Sequence, residues 1–457
     1  MLWLKKMTRL FNFLAVYEKK ILVVIVLAVF GASLIYSFYY RIQPIVDARA
    51  YDVSGWNIAQ GLGYFGTSPN PADDSIIRRP GPGYQYFLGG VYKIFGHHYA
   101  AVWAIQSLLH ALSALLVFLI ARIIFSSRWH PTIGLAAALL VGFSPDLITA
   151  AAMLMAENVG IFLMLVSIYL FFRFVENHNF APLVFSALFL GLTVMVRSTI
   201  LFLILAAVGY LVFNKNPQSR IRRFALLGLF LAVFGLTFVP WSIFTYRIYG
   251  EVLPLGANLG VNLLSGNHPG ATGELDPAYA HSRSYDELGP VGSEKALKKD
   301  AMQFIINNPL EFAKISFYRA SMYFSFARPT GWWPYLSGAA RVGTLGLSAF
   351  YSVVLFTLGF TGLGLALKGK EKEKIVLFAA MLVLIPLAIV FIVVETRYRY
   401  PVYPFFAIFA GYALVRLMAN FRENSKSLFI ALAVLGFNAS FDVLRNWGRI
   451  LERIAHF

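Results

Sequence analysis

The sequence predicts an all-α, polytopic membrane protein, and three observations carry that prediction. Apolar runs of about 20 residues, the length that crosses a hydrocarbon core, recur from one end of the chain to the other. Hydrophobic side chains make up 58% of the 457 residues, above the roughly 45–50% of a soluble domain. When the runs are threaded alternately through a bilayer, the basic residues between them collect on one side.

The candidate spans lie near 20–40, 99–125, 131–149, 152–173, 181–196, 198–214, 222–246, 343–367, 374–394, 401–420 and 427–445. That makes about eleven, within a range of roughly 11–13. The first has no small-residue cleavage site after a short apolar core and is expected to be retained as a helix. Lys5, Lys6, Arg9, Lys19 and Lys20 precede it, Arg122 and Arg128 follow the second, and Lys215, Arg220, Arg222 and Arg223 follow the sixth. Lys368, Lys370, Lys372 and Lys374 follow the eighth, and Arg416, Arg422 and Lys426 the tenth. All fall on one side, which the positive-inside rule makes cytoplasmic. Arg445, Arg449 and Arg453 land on the other side, so either one span is miscounted or the tail lies on the outer surface as an amphipathic helix. The net charge of +17 would point to nucleic acid in a soluble protein; here topology accounts for it and no nucleic-acid partner is expected. The chain has no cysteine, hence no disulfide framework and no cysteine-based metal or redox site.

Two extracytoplasmic segments, 41–98 and 247–342, are too long for plain connections. They divide the chain into an N-terminal segment with the first span (1–40), a first outer loop (41–98), spans two to seven (99–246), a large outer loop (247–342) and the C-terminal spans with the tail (343–457). Helical patterns near 294–306 and 309–327 make the large loop a small helical cap or a set of juxtamembrane helices. Gly/Pro punctuation at "RRPGPGYQYF" (78–87) and "SGNHPGATGE" (265–274) marks turns whose backbone amides can face a ligand. No short-period repeat and no clear inverted duplication is visible.

The position of the charges is the most informative feature. Asp47, Glu157, Arg197, Glu395, Arg397 and Arg399 all fall at the outer ends of spans. A charge near hydrocarbon costs roughly 2.5–3.5 kcal/mol, so such residues face a cavity or pair with one another. Any one of them reads equally as an interfacial anchor. As a set they predict a polar pocket that opens outward.

These residues lie in motifs that resemble the GT-C glycosyltransferases of the PMT_2/ArnT-like kind, similar to protein O-mannosyltransferases and to the lipid A aminoarabinose transferase. The resemblance runs over nearly the whole chain. Its first part is Asp47, Tyr51, Gly55 and "GLGY" at 61–64; the second is "RRPGPGYQYFLGGVYKIFG" (78–96). "MAENVGIF" with Glu157, "VMVRSTILF" with Arg197, "VPWSIFTYRIYG" (239–250), "NLGVNLLSGNHPGATGE" (258–274) and "ETRYRYPVYPFF" (395–406) follow in the family's order. Ala48 stands where relatives often carry a second acid, and Phe244-Thr245 where they carry Arg-Asn.

The resemblance implies a GT-C fold and an inverting transferase that takes a monosaccharide from a polyprenyl-phosphate donor to an acceptor hydroxyl or phosphate. Asp47 would be the general base, with Asp52 its rival, and Glu157 would orient the acceptor or a basic partner. Arg397, Arg399, Arg197 and Arg79, the last beside Arg78, would hold the leaving lipid phosphate, because the planar guanidinium fork matches phosphate oxygens. Tyr51, Tyr84, Asn262 and Asn267 would contact acceptor or sugar. No metal or other cofactor is expected: Asp73-Asp74 reads as a solvated turn and His97-His98 as interfacial. The expected partners are the lipid-linked sugar, an acceptor protein, lipid or glycan, and membrane lipids. The protein would act as a monomer in the bacterial inner membrane, with its site facing the periplasm or cell exterior. A transporter or flippase of lipid-linked sugars, and an O-antigen-ligase-like enzyme, are the competing functions.

Overall fold

The computed structural model describes residues 2–66, 81–125, 129–213, 219–283, 285–328, 337–369, 372–448 and 451. The chain is all-helical and is a multi-pass membrane protein. Among the described residues, seven helices are long and apolar enough to cross a bilayer: Glu18–Tyr40, Tyr99–Ile124, Glu157–Asn177, Gly338–Ala366, Lys372–Ile392, Thr396–Ala419 and Phe421–Arg445. Two further pairs, His130–Gly142 with Pro145–Ala152 and Arg220–Leu236 with Val239–Tyr249, pass only as spans bent by 51° and 46°. Phe180–Val196 and Ser198–Phe213 are apolar but shorter. All eleven predicted segments are therefore helical, yet a count of eleven full spans is not established. The breaks have local causes, since Pro145 and Pro240 each sit in the first turn of the second helix of a pair, where proline starts a helix but cannot continue one.

Thr396–Ala419 is the most enclosed span, whereas Glu18–Tyr40 and Phe421–Arg445 keep most of their surface for lipid. Close packing rests on small residues, as between helices in a membrane. At Gly362 an added Cβ would lie 1.8 Å from the Phe409 carbonyl oxygen, so only glycine lets these two spans meet.

Contacts across the bundle fix its two ends. At one end Arg122 donates to Glu18 (3.1 Å), and Lys374 donates to Glu176 (2.9 Å) and to the Ile123 carbonyl (3.0 Å). These are residues that the charge pattern assigns to the cytoplasm. At the other end lies the cap, built from Leu259–Gly266, Pro277–Ser282, Gly289–Asn307 and Pro309–Phe324, so both predicted helical patterns of the large loop form. Arg445 donates to the Thr272 carbonyl (3.2 Å) and lies 4.1 Å over the Tyr318 ring. The last helix thus ends on the cap side, and Arg445 is part of a buried contact; Arg449 and Arg453 lie outside the described residues.

Candidate active site

Asp47 opens the helix Asp47–Ala59, directly after Val46, whose φ is +49°. A β-branched residue in that region is strained by roughly 1–3 kcal/mol, a strain that proteins tolerate where it places something. Here Val46 caps the helix, and Asp47 follows it as the first helical residue. Glu157 likewise opens Glu157–Asn177. Both carboxylates therefore sit at helix N-termini, where the exposed amide groups favour negative charge. Arg197 lies one residue beyond Phe180–Val196, at the end that favours a cation. Gly81, with φ +50°, explains the placement of that end: a Cβ on it would fall 1.8 Å from the Met195 carbonyl oxygen. The "GPG" turn thus buttresses the residues just before Arg197.

Glu395 precedes the 3-10 stretch Thr396–Val402 that carries Arg397 and Arg399. Its neighbour Val394 makes a parallel bridge with Glu274 of the "SGNHPGATGE" turn, so the large loop sets this stretch. Arg319, fully buried in the cap, donates to the carbonyls of Gly266, of Val390 (3.1 Å) and of Gly273 (3.4 Å) and to Asn267 Oδ1 (3.1 Å). Burial lowers its guanidinium pKa to about 10, which leaves it charged at neutral pH.

Five of the six predicted boundary charges meet. Arg397 donates through Nη2 to Asp47 Oδ2 (3.1 Å) and through Nε to Glu395 Oε2 (2.7 Å), and its Nη1 lies 3.9 Å from Glu157 Oε1. Arg197 Nη1 donates to the same Glu157 oxygen at 2.8 Å. The Tyr398 ring lies 5.4 Å from the Arg197 guanidinium and 5.6 Å from that of Arg397. Tyr51 is buried beside the cluster; burial first, then Asp47 and Glu157, push its hydroxyl pKa well up and keep it protonated. The Nε and Nη2 edge of Arg197 and Glu157 Oε2 are buried with no hydrogen-bond partner among the described residues. A buried donor left unpaired costs about 1–3 kcal/mol. A vacant guanidinium edge is also the geometry that receives two phosphate oxygens.

The remaining predicted residues stand elsewhere. Arg399 is the sixth boundary charge, and its guanidinium is held by Tyr403, Ser352 and the carbonyls of Ser325 and Arg328 instead of by the carboxylates. Tyr84 is fully buried and donates to Gln106 (2.9 Å), which in turn caps the carbonyls of Ala151 and Met153. Asn267 spends its amide on Leu263, Phe391 and Ile392 carbonyls and on Arg319. Both are structural ties in this arrangement. Asn262 lies partly exposed on Leu259–Gly266. Arg78, Arg79, Asp73 and Asp74 lie outside the described residues. Sequence reasoning passed over Asp146 and Tyr403, because "FSPD" reads as an ordinary turn and a tyrosine in a span as packing. Among the described residues no group of three or more His, Asp or Glu side chains is placed to hold a metal ion.

Asp52 is separated from Asp47 by its surroundings. It accepts from Tyr92 (2.5 Å), His97 (2.9 Å) and Tyr99 (2.7 Å), and Trp56 stacks on His97 at 4.9 Å. A carboxylate held by three donors is a brace, its oxygens already engaged by Tyr92, His97 and Tyr99. Asp52→Asn is expected to lower stability by about 1–3 kcal/mol, measured by thermal unfolding. An unchanged unfolding temperature would contradict the brace.

Comparison with known proteins agrees with the fold. Residues 78–244 match the family model described as dolichyl-phosphate-mannose-protein mannosyltransferase. The chain is similar to the crystal structure of the Archaeoglobus fulgidus oligosaccharyltransferase in complex with Zn and sulfate, at 13% identity and a TM-score of 0.52 over 92% of this chain and 52% of that one. It is also similar to the apo form of that protein, at 13% identity and a TM-score of 0.48, over 92% and 54% of the two chains. A third match is AglB from the same organism in complex with an inhibitory peptide and a dolichol-phosphate, at 12% identity and a TM-score of 0.45, over 94% and 56%. The chain spans about half the length of these structures. No curated protein sequence matches significantly. The fold is thus of the GT-C type seen in that oligosaccharyltransferase.

Proposed function

We propose that the chain is an inverting glycosyltransferase that moves a monosaccharide from a polyprenyl-phosphate donor to an acceptor hydroxyl or phosphate on the extracytoplasmic side. The observation that carries this is the contact of Asp47 with Arg397 at 3.1 Å, made by residues 350 positions apart at the cap end of the bundle. The matched family's description, a dolichyl-phosphate-mannose-protein mannosyltransferase, supports a lipid-phosphate donor.

In the proposed step the acceptor O–H gives its proton to Asp47 as the oxygen attacks the anomeric carbon. The bond from that carbon to the phosphate oxygen breaks, and the lipid phosphate leaves with the electron pair. One displacement inverts the centre. A general base contributes about 10²–10⁴-fold, and guanidinium donors aimed at the leaving phosphate supply the charge stabilisation. Arg197 offers its vacant edge for this and Glu157 orients it. Arg397 keeps Asp47 in place, and Arg79, which lies outside the described residues, is a further candidate cation for the phosphate.

A purified chain given a labelled polyprenyl-phosphate sugar and an acceptor should release polyprenyl phosphate and invert the sugar. Turnover should survive exhaustive chelation, because two guanidinium groups can neutralise a monophosphate. Loss of turnover on chelation, restored by a divalent cation, would contradict the metal-free step. The two broken spans favour transport as the second reading, since transporters build their sites on interrupted helices. Passage of intact donor across a vesicle membrane without release of lipid phosphate would establish it.

A further inference from the structure

Thr396–Val402 carries two arginines in a 3-10 helix, where three residues complete a turn and side chains two apart point in different directions. Arg397 meets the carboxylates and Arg399 turns into the bundle, where it is 1% exposed. Arg399 Nε donates to the Tyr403 hydroxyl (3.2 Å), Nη1 to the Ser325 carbonyl (3.1 Å), and Nη2 to the Arg328 carbonyl (2.7 Å) and to Ser352 Oγ (3.2 Å). The Tyr403 hydroxyl in turn donates a hydrogen bond to Asp146 Oδ2 at 2.7 Å. Asp146 is fully buried in the first turn after the 51° break, and its Oδ1 has no partner among the described residues.

One hydroxyl therefore joins a buried guanidinium to a buried carboxylate, each of which would otherwise be an uncompensated charge inside the bundle. An ionisable group at such depth is expected to have a function and a named partner. Apolar side chains of similar size would close this space without fixing a register. The charged pair allows one arrangement, because rotating or sliding the turn by a residue strands both charges.

We propose that Asp146, Tyr403 and Arg399 are positioning residues that lock the 396–402 turn in the register that carries the Arg397 guanidinium to Asp47. This rests on the reading given above, in which Arg397 keeps the base Asp47 in place. None of the three touches substrate; they act through Arg397 alone.

The test is a double-mutant cycle on kcat with the full chain in lipid nanodiscs, because residues that act through one another are non-additive. Tyr403→Phe is expected to lower kcat by about 10–100-fold in the parent, the scale of a misplaced catalytic group. In an Arg397→Lys background the same substitution is expected to change kcat by less than about twofold. Equal factors in both backgrounds would show a general structural role and overturn the proposal, as would an unchanged kcat for Tyr403→Phe in the parent. Arg397→Lys turning over at the parental rate would instead remove the reading that Arg397 holds Asp47 in place, and that single variant reveals it. If Tyr403→Phe does not fold, Ser352→Ala, which removes one acceptor from Arg399, enters the same cycle with the same opposed outcomes.

Discussion

Arg397→Ala is expected to lower kcat by about 10²–10³ and thermodynamic stability by about 3–5 kcal/mol, the cost of breaking a buried ion pair from one side. The Arg397 side chain is 11% exposed and faces three carboxylates: Glu395 at 2.7 Å, Asp47 at 3.1 Å and Glu157 at 3.9 Å. Without it the remaining cation of the cluster, Arg197, faces all three acids from the Glu157 side only. Asp47 and Glu395 then repel each other, and the base loses its Arg397 donor. Arg397→Lys should fall between, because an ammonium keeps the charge but not the fork that serves several oxygens at once. Turnover of labelled donor and thermal unfolding in nanodiscs measure the two effects. Parental turnover by the alanine variant would remove Arg397 from the site.

Asp47→Asn is expected to lower kcat by about 10²–10⁴, the full contribution of a general base, with little change in unfolding temperature. The amide is isosteric, and its oxygen can still accept from Arg397 Nη2, so the helix start and the ion cluster keep their shape. It cannot take the acceptor proton at neutral pH. Donor affinity should persist, since the phosphate-binding edge belongs to Arg197. The pair of results, turnover lost and binding kept, separates a base from a structural carboxylate. Turnover near the parental rate in the asparagine variant would end the assignment of Asp47 as base.

The convergence of Asp47, Glu157, Arg197, Glu395 and Arg397 was legible in the sequence because membrane topology acts as a sorting rule. Once the basic residues set the cytoplasmic side, these five must share the other boundary, and the energy of charge near hydrocarbon draws them together. Arg399 obeys the same rule of position and yet faces away. Two residues from Arg397 in a 3-10 turn, it points into the bundle, and hydropathy does not say whether residues 396–402 wind as an α-helix or a 3-10 helix. The tyrosine and asparagine assignments rested on motif positions, and a motif does not distinguish a residue that touches a ligand from one that ties the loop. Tyr84 and Asn267 do the second, through Gln106 and through the carbonyls at the end of Lys372–Ile392.

The count of spans was illegible for a related reason. Hydropathy is a sum along the chain, so a run broken by Pro145 or Pro240 reads like an unbroken one. The end of the last helix was open in the sequence and is placed by one side chain, Arg445, which reaches the Thr272 carbonyl. Asp146 was hidden most completely. Its partner Tyr403 is 257 residues away, and nothing in either local sequence announces the pair.

A structure of the chain with bound polyprenyl phosphate tests the central claim most directly. The account predicts the phosphate on the Nε and Nη2 edge of Arg197, with the sugar's anomeric carbon within reach of an acceptor oxygen held by Asp47. A phosphate held at the far end of the bundle, near Arg122 and Lys374, or resting in lipid with the Arg197 edge still empty, would contradict it.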